Sequence, residues 1–359
     1  MTRLEPSKRV PAYWPLEKFP LAIVAQSPGR KEVEEGFPLV GKSGELLRDC
    51  FEKAKLPWEK CLRTNLIGFR PPGDDFTYFC RNKETCKMAL PGYDLPQVSQ
   101  GKYLHPDWFD EIERLQTELE TYDPNLIIAC GNEALWALCG VTGITKYQGA
   151  IMECTLVPGL KVLPVFHPAA ALREYSLKVL ITQSLFKARH EVKFREIVRP
   201  NREIWIYPTV EDLYEWEKQE SVHGPLLSVD IETTHGHIDC IGLSFQPSCS
   251  LVVPFWSDLR PGHSYWRTSE EEVAAWDFIE HLLETYEILG QNYAYFDFWR
   301  ILGDIGIFTR KFRHCTMTAH HAYQPELPKD LGFLTSSYCN DAAYKTIRPR
   351  GAKSTKRED

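Results

Sequence analysis

Two sets of polar residues in this 359-residue sequence have types and spacings suited to chemistry. In LLSVDIETT, Asp230 and Glu232 alternate along a run with strand character, so both carboxylates point to the same face. Two acids on one face of an otherwise apolar strand are costly unless something cationic sits between them. A hard, oxygen-seeking divalent ion, Mg2+ or Mn2+, is the natural partner. In LGQNYAYFDFWRIL, Asp297 opens a helix five residues after Asn292 and supplies a third acid. Two such ions about 4 Å apart activate a water and stabilise the leaving oxygen in phosphodiester cleavage. Asp230, Glu232 and Asp297 are therefore the expected metal ligands.

The second set begins in LAIVAQSPGRKEVEEGFPLVGKSGELL, residues 21–47. A short apolar run ends in a Pro-Gly turn, a charged loop follows, and a second turn leads into a helix. This is the layout of a pocket at the end of a buried strand. The turn carries Gln26 and Ser27 where a catalytic carboxylate would be sought.

The elements that must position these residues follow from periodicity. LAIVA (21–25), CLRTNLIGF (61–69), NLIIACG (125–131) and VLPVFHP (162–168) read as buried strands. Helices are expected at 44–55, 108–124, from Asn132, and at 169–190. The stretch 70–105 is rich in Pro, Gly, Asp and aromatics and reads as a long surface excursion. Strand–helix alternation with continuous apolar strands implies a parallel sheet covered on both faces. The pattern breaks at 195–209. EIWIYP reads as a new strand, and Thr209 as the N-cap of VEDLYEWEKQE. Consecutive strands at 225–234, 238–246 and 250–255 imply antiparallel pairing. Helices at 269–286, 296–305 and 316–323 follow. The organisation expected is 1–195, a linker at 196–202, a second domain at 203–345, and a disordered basic tail at 346–359.

The pairing of D-x-E with N-x-x-x-F-D resembles the first two motifs of the DEDD superfamily of 3′–5′ exonucleases, in particular the proofreading domains of replicative DNA polymerases. CTMTAHHAYQPELPKDLGFLTSSY and IWIYPTVEDLYEWE resemble the flanking segments of phage family-A polymerases. The resemblance covers about residues 203–345. It implies a ribonuclease-H-like fold with a mixed sheet, with Asn292 orienting the strand backbone near the metals. The family's fourth acid lies in a Tyr-x-x-x-Asp helix. Tyr338 and Asp341 approximate it with the wrong spacing. The chain therefore reads as the N-terminal part of a larger polymerase or a naturally truncated product.

Four stretches of the first half resemble family 4 and related uracil-DNA glycosylases. AQSPG is similar to G-E-A-P-G, and PLVGKSGELL to P-F-V-G-x-(A/S)-G-x-L-L. TNLIGFRPPG resembles T-N-x-x-K-C-R-P-P-x-N. PNLIIACGNEAL resembles P-x-V-I-V-x-L-G-x-x-A, and VFHPAAALR resembles x-x-H-P-(S/A)-x-x-L-R. The resemblance implies a three-layer sandwich around a parallel sheet and a pocket for a base flipped from the stack. Gly29 would let backbone approach the nucleotide closely. Leu39, or Phe37 beside it, would be the stacking wall. Asn65 would pair with a pyrimidine edge. His167 would donate to O2 as charge builds on the leaving base. Helix N-termini around Gly29, Ser43 and Asn132 would hold phosphates.

The departures are specific. The family's first-motif Glu is Gln26, the next residue is Ser27, and the stacking Phe is Leu39. The Cys of K-C-R-P-P is Phe69, and Cys80 or Cys86 would match at most one further ligand, so no iron–sulfur cluster is expected. Excision is then expected to be slow or lost, unless water is placed by Gln26 and the base activated by His167.

Composition bounds the rest. The chain is 43% hydrophobic and 25% charged, that of a soluble globular protein, and its net charge of −7 does not advertise nucleic-acid binding globally. No apolar run reaches the roughly 18–20 residues of a membrane span, and the N-terminus lacks a signal-peptide core. A cytoplasmic location is expected, the host cytoplasm if a phage encodes it. The eleven cysteines form no C-x-x-C pair. They read as reduced, partly buried thiols or as a metal or cluster site. The primary expectation is a DNA-processing enzyme of phage-type replication, a metal-dependent 3′–5′ exonuclease with a base-binding module. Its partners are DNA, single-stranded or a primer 3′ end, and other replication proteins. The alternatives are an active uracil glycosylase and a non-catalytic DNA- or protein-binding module.

Overall fold

The computed structural model describes residues 8–234, 236–259 and 262–339. They divide into two compact units, one formed by 199–331 and the other by the remaining described residues.

The first unit is built on strands β1 (Leu21–Ala25), β2 (Leu62–Asn65), β3 (Cys80–Arg81), β4 (Tyr103–Leu104), β5 (Leu126–Cys130), β6 (Met152–Glu153) and β7 (Lys161–Val165). Five of them form one sheet in the order β2-β1-β5-β7-β6, parallel except for the edge strand β6. Every residue of β1, β5 and β7 is buried. Alternation sends Ala22 and Val24 into one apolar cluster, and Leu21, Ile23 and Ala25 into the other. Helices α1 (Arg30–Glu35), α2 (Lys42–Lys53), α3 (Lys83–Ala89), α4 (Phe109–Tyr122), α5 (Asn132–Cys139), α6 (Ile144–Tyr147), α7 (Pro168–Ala171) and α8 (Ser176–Glu191) surround it. Leu115 and Leu119 of α4 with Leu135 and Leu138 of α5 cover one face. Leu47 and Phe51 of α2 with Ile181 and Leu185 of α8 cover the other. The result is a three-layer α/β sandwich.

The stretch 70–105 corrects the sequence reading. It is not a bare surface excursion: β3 pairs antiparallel with β4, and α3 lies between them. Phe76, Phe79, Val98 and Leu104 are buried in the core beneath it. Cys80 and Cys86 are buried with them, and the Cys86 thiol faces the carbonyls of Tyr103 and Leu104. Burial pushes the Cys80 thiol up to about 12 and raises that of Cys86, so both are held protonated. The helix expected at 169–190 is two, α7 and α8.

The second unit contains β8 (Glu203–Trp205), β9 (Leu226–Thr234), β10 (His237–Gln246), β11 (Cys249–Pro254), β12 (Glu287–Gly290) and β13 (Phe312–Cys315). Its mixed sheet has the order β13-β12-β9-β10-β11-β8. The three central strands pair antiparallel. β12 and β13, which the sequence reading missed, extend the sheet in parallel. Helices α9 (Val210–Glu220), α10 (Ser269–Thr285), α11 (Asp297–Ile305) and α12 (Thr316–Tyr323) follow in order, and α13 (Leu331–Tyr338) ends the described chain. Thr209 caps α9 reciprocally with Asp212. Leu213 and Trp216 of α9 and Phe278 and Leu282 of α10 join Leu227, Val229 and Ile231 of β9 in one core.

Residues from Gly332 group with the first unit, where Lys187 Nζ donates to the Ser336 carbonyl at 2.8 Å. Asp341 and the tail at 346–359 lie outside the described residues. Among the described residues, no helix is long and apolar enough to cross a membrane.

Candidate active sites

In the first unit the strands β1, β2, β5 and β7 point their C-terminal ends at one cavity of about 530 Å³. In open parallel sheets that edge is where ligands bind. Gln26, Ser27, Gly29, Leu39, Asn65 and His167, six positions singled out in the sequence, all line it.

His167 follows β7 and caps α7. The Ala169 N–H donates to its Nδ1 at 3.2 Å, so the ring proton resides on Nε2. Burial, and after it the Arg173 charge, lowers this imidazole to about 4. At neutral pH it is an uncharged donor at the cavity wall. Gly131, at φ 92°, begins α5 beside it. A Cβ there would lie 3.0 Å from His167 Cβ, so only glycine fits.

Asn65, 4% exposed, ends β2. Arg114 Nη2 donates to the Asn65 and Leu66 carbonyls at 2.7 and 3.0 Å, and the Gly68 N–H donates to Glu111 at 2.7 Å. The Glu111–Arg114 pair of α4, its carboxylate buried, therefore fixes the turn that carries Asn65.

Of the two candidate stacking residues, Leu39 is buried and lines the cavity, whereas Phe37 is exposed and is not part of the lining. Phe166, which the sequence reading did not single out, adds an aromatic wall. Its N–H donates to Gln148 Oε1 at 2.8 Å, and Gln148 is held in turn by Ser184 Oγ at 2.7 Å.

The turns at Gly29 and at the start of α2, expected to hold phosphates, are tied together by Glu32. The Gly29 N–H donates to Glu32 Oε2 at 3.0 Å and the Gly41 N–H to Glu32 Oε1 at 2.9 Å. One buried carboxylate already fills both donors and ties the two turns together. At α5, the Asn132 side chain accepts from the Gly143 and Ile144 N–H groups. Glu133, also missed by sequence reasoning, lines the cavity together with Gln26, whose carboxamide favours its ionised form. Burial raises its carboxyl, with the Gln26 amide and its own backbone N–H pulling back.

In the second unit, Asp230 and Glu232 lie on the exposed face of β9, while Val229 and Ile231 turn into the core. Asp297 opens α11 and is 3% exposed; its Oδ1 accepts from the Ile231 N–H at 2.9 Å. Burial, then the Asp230 and Glu232 charges, raises Asp297 to about 6 against the pull of that N–H. Desolvation and Glu232 likewise raise Asp230. Three acids thus repel one another, which is the electrostatic demand a divalent cation meets. Among the described residues, however, no three His, Cys, Asp or Glu side chains are gathered closely enough to hold a metal ion. Asn292 occupies the turn after β12 at φ 64°, where its carbonyl accepts from the N–H groups of Tyr295 and Phe296.

Residues 11–194, just over half of the chain, match the uracil DNA glycosylase superfamily. The type-4 uracil-DNA glycosylase of Thermotoga maritima is 25% identical over 177 residues, covering 48% of this chain and 78% of the relative. That of Archaeoglobus fulgidus is 26% identical over 168 residues and 71% of its own length. A DNA polymerase of Bacillus phage SP01 is 27% identical over 158 residues, which span only 14% of the polymerase. The crystal structure of an EXD2 exonuclease domain soaked in Mg and dGMP aligns over 44% of this chain and 79% of that one, at 14% identity and a TM-score of 0.26. At that score the likeness carries no weight.

Proposed function

We propose, for a chain that belongs to the uracil DNA glycosylase superfamily, that the first unit takes an extruded pyrimidine from DNA into the His167 cavity and cleaves the bond joining that base to its sugar. The supporting observation is that Gln26, Asn65 and His167 share one cavity of about 530 Å³, the scale of a nucleobase site. Asn65 offers one donor and one acceptor edge to the base. Leu39 and Phe166 provide apolar walls. His167, neutral and protonated on Nε2, donates toward the negative charge that grows on the leaving base. The partner is DNA, and the preferred form is a single strand, from which extrusion costs least. A 5′-labelled single strand carrying one uracil, incubated in EDTA and then in hot alkali, tests this. A single cut at uracil, absent with His167→Ala, is expected; an intact strand refutes the excision reading.

A second reading concerns the second unit. The three acids are not gathered closely enough to hold an ion as they stand, but the mutual repulsion of Asp230, Glu232 and Asp297 favours recruitment of Mg2+ or Mn2+ to them. When bound, such an ion would supply an activated water and a Lewis acid for 3′–5′ phosphodiester cleavage. Asn292 would orient the strand. We assign the second unit, 199–331, to this activity, and the first unit to base recognition. The similarity to a phage DNA polymerase favours a place in replication, with other replication proteins as partners. Mn2+ raising the melting temperature of the chain, but not of its Asp230→Asn variant, is the binding test. No shift in either protein would remove the metal site.

A further inference from the structure

We propose that Glu133 is the general base of the excision site, supplying from α5 the carboxylate that Gln26 does not carry. The proposal rests on the excision reading above.

Three carboxylates line the cavity, Glu32, Asp74 and Glu133. Glu32 has one oxygen on the Gly29 N–H at 3.0 Å and the other on the Gly41 N–H at 2.9 Å. Asp74 is held in a two-point pair with Arg70, at 2.7 and 3.0 Å. Both are committed to organising the rim. Glu133 is different. It lines the same cavity as the Gln26 carboxamide, an uncharged group, and no cation is paired with it there among the described residues. A carboxylate accepts at about four lone-pair sites, so an amide beside it leaves room for a water.

The position is also set by the backbone. Gly131 lies alongside His167 and starts α5, so Glu133 falls in the first helical turn on the same strand-end edge. The helix dipole there favours an anion. Gln26, in the turn after β1, lines the same cavity, so its amide is available to orient the carboxylate rather than replace it. Burial raises the affinity of Glu133 for a proton, which makes it a stronger base than an exposed glutamate.

A water bound to Glu133 forms its O–C1′ bond as the C1′–N1 bond breaks. The water proton passes to the Glu133 carboxylate. The electron pair of the broken bond stays on the base, as an anion shared by N1 and O2, and His167 Nε2–H donates to it. Glu133 then releases its proton to solvent. No oxidant, reductant or metal is consumed.

The test uses the full chain and a uracil-containing single strand in EDTA, with single-turnover release of uracil as the rate and filter binding as a separate readout. Glu133→Gln is expected to slow release by about 100-fold or more while leaving binding within about threefold. Should that variant fold poorly, Glu133→Asp and Glu133→Asn, which differ in charge and not in size, decide the matter. The Asp variant is expected to be at least about tenfold faster. Equal rates within the Asp/Asn pair, or in Glu133→Gln and wild type, overturn the role of Glu133 and leave the excision reading standing. A wild-type chain that binds the strand and releases no uracil overturns both.

Discussion

The Ala169 N–H donates to Nδ1 of His167 across 3.2 Å, and this one bond decides which ring nitrogen carries the proton. Nε2 is left as the donor, and burial keeps the ring uncharged above about 4. A neutral imidazole stabilises a developing anion without first attracting it as an ion pair. Replacing His167 by alanine is expected to slow uracil release by roughly 100-fold or more, in line with loss of one preorganised donor. Rates under single-turnover conditions check this, with binding of the same strand changed far less.

The same residue makes stability depend on pH. Its folded value, about 4, lies below the ordinary 6.5, so the unfolded chain takes up a proton first. His167 therefore costs no stability above about 6.5, and stability falls as pH drops from 6.5 toward 4. Urea midpoints at pH 7 and pH 5 should fall less in His167→Ala than in wild type.

Glu32 joins two turns through the N–H groups of Gly29 and Gly41 and is 8% exposed. Glu32→Gln keeps the shape but leaves an amide nitrogen where an acceptor is needed. A loss of roughly 1.5–3 kcal/mol is expected from urea unfolding, as for hydrogen bonds to a charged group.

Gly44 lies against the strained turn at Leu39, which has φ 59°. A Cβ at 44 would fall 1.8 Å from the Leu39 carbonyl oxygen, so the backbone must move. Gly44→Ala is expected to cost on the order of 3 kcal/mol and to displace Leu39 from the cavity. A melting temperature unchanged from wild type would show that the turn yields freely.

Asp297 titrates in the opposite sense to His167. Its folded value is raised from 3.8 to about 6, so its burial favours the protonated form, and stability is lost as pH rises from 3.8 through about 6. Asp297→Asn should gain stability relative to wild type at pH 8. Metal binding needs the deprotonated acid, so Mn2+ should raise the melting temperature more at pH 8 than at pH 5. Thermal denaturation with and without Mn2+ reads both effects.

Much of this architecture is written in local patterns. LAIVA announces β1 because a fully buried parallel strand is apolar on both faces, and VEDLYEWEKQE announces α9 because Thr209 and Asp212 cap it reciprocally. The acids of β9 show themselves by breaking an apolar alternation. β3 and β4 stayed hidden because two-residue strands separated by a helix leave no periodic trace. β12 and β13 were hidden for a related reason: each is four residues long and directly follows or precedes other structure. Gln26, Asn65 and His167 were readable because each stands at a strand end. Glu133 was not, because an acid in the first turn of a helix is ordinary in sequence. Only the folded approach of Gln26 gives it a cavity to face. Glu32 was hidden in a run of charges, although its partners are backbone N–H groups.

The most direct measurement is the amount of free base released from a uracil-containing single strand by the intact chain in EDTA, quantified by mass spectrometry beside His167→Ala. Stoichiometric or greater release of uracil by wild type, and background release by the variant, is the result expected of an excising cavity. Release that is equal in the two proteins, or at background in both, would contradict it.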